Sequence, residues 1–217
     1  MRVLNHLFEK NRQWASRVKD EDPEFFHNLA AQQSPDYLWI GCSDSRAPAN
    51  QIVDLAPGEL FVHRNVANVV IQTDFNCLSV LQYAVDVLKV KHVMVVGHYG
   101  CGGVKAALEG QGEGLIRNWL SNVREVYDTH RERVDTLARP EDRVNRLCEL
   151  NVVEQVRHVC QTSTVQDAWK RGQTLSVHGW IYDIRDGLLQ DLTMCITGAD
   201  EVGTQYAQAL NQSPSTS

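Results

Sequence analysis

The sequence predicts an α/β fold: a mainly parallel β-sheet of four to five strands flanked by helices, with an N-terminal helical arm and an antiparallel edge strand. Three short apolar runs, at residues 37–40, 60–62 and 92–96, lack polar alternation, which is typical of strands buried on both faces. A helical pattern over residues 73–88 separates the second run from the third. This order predicts a strand–helix–strand unit with a right-handed crossover.

Two helices are predicted before the first strand. Large apolar side chains recur near helical spacing over residues 3–18, and Pro23 suits the first turn of a second helix that reaches about Ala31. The apolar face of the first helix either packs on its own domain or docks on a partner subunit, and the sequence leaves both alternatives open. We expect one domain over residues 1–210, with residues 1–34 as its helical arm.

The helix between the second and third strands is predicted to be buried on most of its surface. Thr73 is its predicted N-cap, and the residues that follow are apolar nearly all round, so we expect this helix to be well buried.

The second half of the chain is mostly helical and then returns to strands. Residues 115–171 are charged and helical, with a break near Pro140. Residues 174–184 and 188–196 are predicted as antiparallel strands, because a turn sequence, RDG, lies between them. After Leu210, residues 211–217 are expected to form a polar, disordered tail.

The composition is that of an ordinary globular protein. Of 217 residues, 43% are hydrophobic and 22% charged, which excludes a wholly disordered or fibrous chain. Twenty-one Lys and Arg against 27 Asp and Glu give a net charge of −6, so we expect neither nucleic acid nor a membrane as a partner. The N-terminal segment lacks the apolar core of a signal peptide, which favours a reduced, cytoplasmic setting where cysteines can bind metal.

Two predicted strands end in segments rich in potential metal ligands. The first strand is followed by GCSDSR at residues 41–46 and the third by GHYGCGG at residues 97–103. The carboxyl ends of parallel strands meet at one edge of a sheet, and neighbouring strands are ~5 Å apart. Four side chains could therefore converge there: Cys42, Asp44, His98 and Cys101.

Two thiols, an imidazole and a carboxylate suit Zn²⁺ in tetrahedral coordination. Spacing alone leaves open whether Asp44 binds the ion or only lies near it. The other cysteines are interpreted as buried packing residues: Cys77, Cys148, Cys160 and Cys195.

Three other kinds of site fit the pattern less well. A cysteine phosphatase needs a longer anion-binding loop than the one between Cys42 and Arg46. A dinucleotide fingerprint would require glycine where Lys105 stands. A structural zinc site would usually have four Cys or His ligands and no acid beside an arginine. A catalytic metal site is therefore the better interpretation.

With these motifs the sequence resembles the β-class carbonic anhydrases, and specifically their bacterial branch. The resemblance rests on CSDSR at residues 42–46, HRNVAN at 63–68 and GHYGCGG at 97–103, and extends to HGWIYD at 178–183. It implies one Zn²⁺ per subunit and reversible hydration of CO2 to bicarbonate and a proton by zinc-bound hydroxide. It also implies a homodimer or homotetramer.

The resemblance also implies roles for individual residues. Cys42, His98 and Cys101 would be zinc ligands, and Asp44 and Arg46 a dyad that orients the hydroxide. Substrate-binding groups would be the N–H groups of Gly102 and Gly103 and the side chain of Gln33, commonly across the dimer interface.

One subgroup of this branch is self-inhibited, because its aspartate leaves the arginine and becomes the fourth zinc ligand. Trp39, Arg64 and Tyr182 match the residues that line an effector bicarbonate pocket in that subgroup. The resemblance therefore predicts inhibition by bicarbonate and by low pH through ligation of zinc by Asp44. Ala47 departs from the valine expected in close relatives.

Two rival functions remain at this point. Related enzymes hydrolyse CS2 or COS on the same fold, and a non-enzymatic zinc-binding protein would keep Asp44 permanently on the metal. No proton-transfer residue is assigned among the histidines.

Overall fold

The computed structural model describes residues 3–31 and 33–212 and divides into two compact units, one ending at Ser34 and one starting at Pro35. Residues 213–217, most of the predicted disordered tail, lie outside the described residues. Among the described helices, none is long and apolar enough to cross a membrane.

The N-terminal unit contains two helices, α1 (Asn5–Glu21) and α2 (Phe25–Ala31). The ring of Trp14 meets that of Phe26 edge-on, with centroids 5.6 Å apart, and this contact joins the two helices. Neither helix buries a residue, and Leu7 and Phe8 of α1 are exposed. The apolar face of α1 is therefore uncovered in the single chain.

The second unit is built on a five-stranded sheet in the order β2-β1-β3-β4-β5. The first four strands in that order run parallel, and β5 is antiparallel to β4. The α/β class, the mainly parallel sheet and the antiparallel edge are thus confirmed. The strands are β1 (Tyr37–Cys42), β2 (Leu60–Asn65), β3 (His92–His98), β4 (Ser176–Asp183) and β5 (Leu188–Ile196).

Among the described residues of this unit there are eight further α-helices, and the predicted break near Pro140 separates two of them. They are α3 (Ala49–Ile52), α4 (Phe75–Gln82), α5 (Gly102–Glu109), α6 (Gly114–Thr129), α7 (Arg131–Asp135), α8 (Pro140–Gln161), α9 (Ser163–Lys170) and α10 (Val202–Leu210). The sequence patterns had not indicated α10, which packs on β5 and α8.

The helix predicted over residues 73–88 differs in two respects. Its N-cap is Asp74, whose side chain accepts the Asn76 N–H, so the prediction of Thr73 is wrong. Its apolar surface is only partly buried, because Phe75 is 86% exposed whereas Leu81 is fully covered. The helix continues past Gln82 as a π-turn over Tyr83–Val87.

Helix α8 lies at the centre of the unit and packs on β3 and β4. Two glycines permit this close approach: a Cβ at Gly97 would lie 2.6 Å from a methyl of Val152, and one at Gly179 would lie 3.0 Å from Val156. Unusually, α8 also buries polar side chains: Asn145, Arg146, Glu149, Asn151, Glu154 and Gln155. Two of these groups, Glu149 and Asn151, reach Tyr99 and Ala67 beside the site described next.

Candidate metal centre and active site

Three buried side chains meet at the carboxyl edge of the sheet. Cys42 ends β1, His98 ends β3, and Cys101 follows in the loop before α5. Because β1 and β3 are neighbours, the two sulfur atoms lie 3.9 Å apart and all three potential ligand atoms lie within 4.8 Å of one another. The convergence expected from the sequence is therefore present.

The orientation of His98 fits a metal ligand. Its Nδ1–H donates to the carbonyl oxygen of Tyr99 at 3.0 Å, so Nε2 carries the lone pair. This Nε2 is buried and has no hydrogen-bond partner among the described residues. A buried acceptor without a partner is costly, and a cation held between the imidazole and the thiols would satisfy it.

The two thiols divide their acidity unequally, because they are joined by a hydrogen bond. A hydrogen bond from Cys101 lowers the pKa of Cys42 to about 4, against the opposing effect of burial. The same hydrogen bond, together with burial, raises the pKa of Cys101 far above its ordinary value. The pair thus shares one proton, which a divalent cation would displace.

Backbone N–H groups donate hydrogen bonds to both sulfurs. Those of Asp44 and Ala67 donate to Cys42, and that of Val104 donates to Cys101 from the first turn of α5. Ala67 can do so because its backbone is left-handed, with φ at 65°. The donor set of two sulfurs and one imidazole, with N–H groups aimed at the sulfurs, fits Zn²⁺.

Asp44 lies beside the cluster and is paired with Arg46. Its Oδ1 accepts the Arg46 N–H at 2.9 Å and Nε–H at 3.0 Å, and its Oδ2 accepts Nη2–H at 2.7 Å. These bonds hold the pKa of Asp44 well below its ordinary value. Oδ2 also lies 3.8 Å from His98 Nε2, so the ionised carboxylate faces the place where the ligand atoms converge.

The Arg64 side chain donates hydrogen bonds to the backbone of the segment that contains Cys42 and Asp44. From the end of β2 its Nε donates to the carbonyl oxygen of Cys42 at 2.7 Å, and its Nη2 donates to that of Asp44 at 2.5 Å. One guanidinium group therefore links β2 to both the first cysteine and the acid.

The other two predicted effector residues belong to a separate apolar cluster. Trp39 is 2% exposed and packs there with Met94 and Val96, and the half-buried Tyr182 lies against the same cluster. Gly41 makes room for the indole ring, because a Cβ there would lie 2.2 Å from Trp39 Nε1.

The predicted substrate-binding residues occupy different surroundings. Gly102 and Gly103 form the first turn of α5, as expected. The space beside Gly102 is open, whereas a Cβ at Gly103 would lie 3.0 Å from Val66. Gln33 is exposed and belongs to the N-terminal unit, so its predicted contact with substrate stays a prediction.

A cavity of about 630 Å³ lies next to the centre. Arg46, Tyr99 and Gly100 line it on the side of the metal-binding loops, and Arg143 and Arg185 line it elsewhere. The three clustered ligands are not among its lining residues.

The sequence analysis did not identify the polar side chains of α8 that contact residues near the site. The buried Glu149 carboxylate accepts the Tyr99 O–H at 2.8 Å, and Asn151 Nδ2 donates to the carbonyl oxygen of Ala67 at 2.9 Å. The available signal was charged residues inside an otherwise apolar helical pattern, which is equally typical of a solvated face. Cys195 was also misjudged: it is exposed, because alternate residues of the edge strand β5 face solvent.

Comparison with known proteins agrees with this geometry. Residues 37–189 match the family model described as carbonic anhydrase. A carbonic anhydrase of Emericella nidulans is 51% identical over 88% of this chain and 84% of its own length.

Solved structures are similar over almost the whole chain. A β-carbonic anhydrase of Coccomyxa in complex with acetazolamide has a TM-score of 0.89 and 42% identity, with 100% of both chains covered. One of two tetrameric β-carbonic anhydrases of the filamentous ascomycete Sordaria macrospora has a TM-score of 0.85 and 38% identity, covering 91% of this chain and 100% of the other. The family match and these similarities over most of the chain show that the protein is an enzyme, a carbonic anhydrase. The chain belongs to the β-class carbonic anhydrase family.

Proposed function

We propose that this enzyme hydrates CO2 reversibly to bicarbonate and a proton, with one Zn²⁺ per subunit held by Cys42, His98 and Cys101. The observation that carries the proposal is the convergence of the buried His98 Nε2 with two thiols that share one proton. When bound, Zn²⁺ supplies the Lewis acidity that makes water a nucleophile near neutral pH.

The residues around the cluster have separate tasks. Asp44 is held ionised by Arg46, so its Oδ2 accepts a hydrogen bond from the attacking water and directs a lone pair of that water toward CO2. The N–H groups of Gly102 and Gly103, at the N-terminus of α5, stabilise the charge that develops on the bicarbonate oxygens. The proton that the water loses passes to buffer in the solvent, and no residue of the chain is assigned to carry it.

Replacing the acid while keeping its shape tests this mechanism. Asp44→Asn should retain zinc and lower kcat for CO2 hydration about 100-fold, because the amide cannot accept the hydrogen bond as the carboxylate does. Zinc content by mass spectrometry and stopped-flow hydration rates measure the two effects. Unchanged turnover in Asp44→Asn would rule the mechanism out.

A matched control exists in the same chain. Asp183 and Arg185 form an ion pair of nearly the same geometry, with Oδ1 accepting N–H at 2.9 Å and Nε–H at 3.1 Å, and Oδ2 accepting Nη2–H at 2.7 Å. Asp183→Asn should therefore leave the hydration rate within about twofold of the wild type.

The rival activity, hydrolysis of CS2 or COS, is measured in parallel by the release of sulfide. Sulfide release faster than CO2 hydration would favour the rival.

We also propose that bicarbonate and low pH inhibit the enzyme by favouring ligation of zinc by Asp44. The supporting observation is the double contact of Arg64, since a group that receives bicarbonate would also hold the backbone of Cys42 and Asp44. In the structure Asp44 is paired with Arg46, which corresponds to the uninhibited arrangement.

The assignment to a bacterial branch stays a prediction, because the relatives and structures described above are not bacterial.

Fractional inhibition by added bicarbonate, measured at several pH values, tests this regulation. Tyr182→Phe should show weaker inhibition than the wild type, whereas Tyr37→Phe, at the start of β1 against the same apolar cluster, should not. Equal inhibition of all three proteins would contradict an effector site at these residues.

We further propose that the enzyme is a homodimer or homotetramer that works in the reduced cytoplasm without a membrane or nucleic-acid partner. The uncovered apolar face of α1 and the tetrameric Sordaria macrospora enzymes support the oligomer. Sedimentation velocity should give two or four times the mass of 24.5 kDa, and a monomer would overturn the proposal.

A further inference from the structure

A second polar network lies behind the metal-binding loop, on the side that faces α8. The Tyr99 O–H donates to Glu149 Oε1 at 2.8 Å, and Arg146 Nη1 donates to Glu149 Oε2 at 2.7 Å. The side chains of Arg146 and Glu149 are only 6% and 3% exposed. Neither residue belongs to the proposed chemistry.

Burying these charged and polar groups costs free energy, and apolar side chains packed in their place would avoid that cost. Burying an ion pair removes two charges from water, and well-packed apolar side chains of similar volume are often as stabilising. Tyr99 is itself 4% exposed, so a phenylalanine would fill the same space. The polar groups therefore contribute direction: they restrict where the Tyr99 ring, and with it the loop backbone, can lie.

Tyr99 is held at both its backbone and its side chain. Its N–H donates to the carbonyl oxygen of Tyr182 on β4 at 3.0 Å, and its hydroxyl reaches α8. Its own carbonyl oxygen accepts Nδ1–H of His98 at 3.0 Å, the contact that turns Nε2 toward the sulfurs. A shift of Tyr99 would therefore rotate the His98 imidazole directly.

The same shift would move Cys101. Only Gly100, with φ at 65°, separates Tyr99 from this cysteine, and α5 begins immediately after it. The far end of the network is also fixed, because Arg146 Nη2 donates to the carbonyl oxygen of Leu210 at the end of α10 at 3.2 Å. The loop that supplies two of the three ligands is thus tied through α8 to the C-terminal helix.

We propose that Tyr99, Glu149 and Arg146 are positioning residues, which hold the His98–Cys101 loop in its metal-binding geometry and so set how long the enzyme retains its metal. The inference rests on the proposed zinc site. It assigns to these three residues the orientation of ligands and no contact with substrate.

The test measures metal release. Zinc-loaded protein is mixed with an excess of a chromophoric chelator, and the rate of zinc transfer is followed for the wild type, Tyr99→Phe and Glu149→Gln. Tyr99→Phe loses only the hydroxyl and should release zinc about 10-fold to 100-fold faster, as expected when the outer support of a ligating histidine is removed. Glu149→Gln keeps an oxygen that can accept the Tyr99 hydroxyl, so it should be closer to the wild type.

Tyr206→Phe is the matched control. The Tyr206 hydroxyl also donates to a buried carboxylate of α8, that of Glu154, but from α10 and away from the metal-binding loop. Thermal unfolding of the metal-free proteins records the general loss of stability in each variant. The d–d absorption spectrum of the cobalt-substituted proteins should change in Tyr99→Phe and stay as in the wild type in Tyr206→Phe.

The outcomes separate the two proposals. Faster release in Tyr99→Phe, with the wild-type rate in Tyr206→Phe, supports the positioning role. Equal release rates for all variants, or the same acceleration in Tyr206→Phe, would overturn that role while leaving the proposed function intact. A wild-type protein that binds no zinc would overturn both.

Discussion

Cys42 and Cys148 lie close to the same loop, yet their thiols have opposite chemistry. The hydrogen bond from Cys101 lowers the pKa of Cys42 to about 4, while burial raises the pKa of Cys148 to about 12. Burial likewise raises the pKa of Cys77 and of Cys160 to about 12. The Cys42 thiolate is favoured because hydrogen-bond donors surround its sulfur, whereas burial keeps the thiol of Cys148 protonated.

This difference predicts the metal content of two cysteine variants. Cys42→Ser should reduce bound zinc to a small fraction of one equivalent, because a hydroxyl does not ionise at neutral pH to replace the thiolate. Cys148→Ala should retain a full equivalent, although its cavity lowers the free energy of unfolding. Metal analysis of the purified proteins checks both, and zinc retained by Cys42→Ser would contradict the assigned ligand set.

At the scale of elements, the approach of α8 to the sheet decides how the site is supported. Gly97 immediately precedes the proposed ligand His98, and its missing side chain lets Val152 of α8 lie against β3. The same close approach brings Asn151 to the carbonyl oxygen of Ala67 and Glu149 to Tyr99. The spacing between α8 and β3 therefore bears on both metal-binding loops.

A pair of substitutions tests this spacing. Gly97→Ala should lower the free energy of unfolding by about 2 kcal/mol, because the new methyl would lie 2.6 Å from Val152 Cγ2 and forces the two elements apart. Adding Val152→Ala to Gly97→Ala should restore part of the lost stability. The coupling between the two substitutions, measured by urea unfolding of the single and double variants, should be at least ~0.5 kcal/mol. Strictly additive effects would show that the contact does not limit the spacing.

At the scale of the whole molecule, one buried carboxylate joins three separate parts of the unit. Glu154 of α8 accepts hydrogen bonds from His130, which follows α6, from Arg157 and from Tyr206 of α10. Burial alone would raise the pKa of Glu154, but these donors outweigh it and lower the pKa to about 2, from an ordinary 4.5. The C-terminal helix is therefore attached through an ionised group.

The lowered pKa predicts how stability depends on pH. A carboxyl group whose pKa is depressed by folding stabilises the protein above its unfolded pKa, and this contribution is lost as the pH falls toward the folded value. The contribution of Glu154 should thus be full above about pH 5 and disappear between pH 5 and pH 2; the shift corresponds to about 3 kcal/mol.

Urea unfolding at a series of pH values measures this contribution. Glu154→Gln should be less stable than the wild type at neutral pH, and the difference should shrink as the solution is acidified. Glu125→Gln, on the exposed side of α6, is the control and should match the wild type throughout. A difference between Glu154→Gln and the wild type that does not change with pH would show that the charge of Glu154 is not responsible.

The fold class and the convergence of three potential metal ligands could be predicted from the sequence alone. Uninterrupted apolar runs indicate parallel strands, and strands of this kind bring their carboxyl ends to one edge, so Cys42, His98 and Cys101 could be placed together without coordinates. The turn before β5 could also be predicted, because the preference of turn residues for a turn depends on the local backbone and not on distant contacts.

Which polar residues are buried, and which groups they contact, could not be predicted without the three-dimensional fold. The pattern of α8 does not distinguish Glu149 and Glu154 from exposed acids, since their partners Tyr99, His130 and Tyr206 are distant in sequence. Exposure of Phe75 and Cys195 likewise depended on which elements cover them. Burial is set by the packing of remote segments, and a sequence pattern records only the neighbours along the chain.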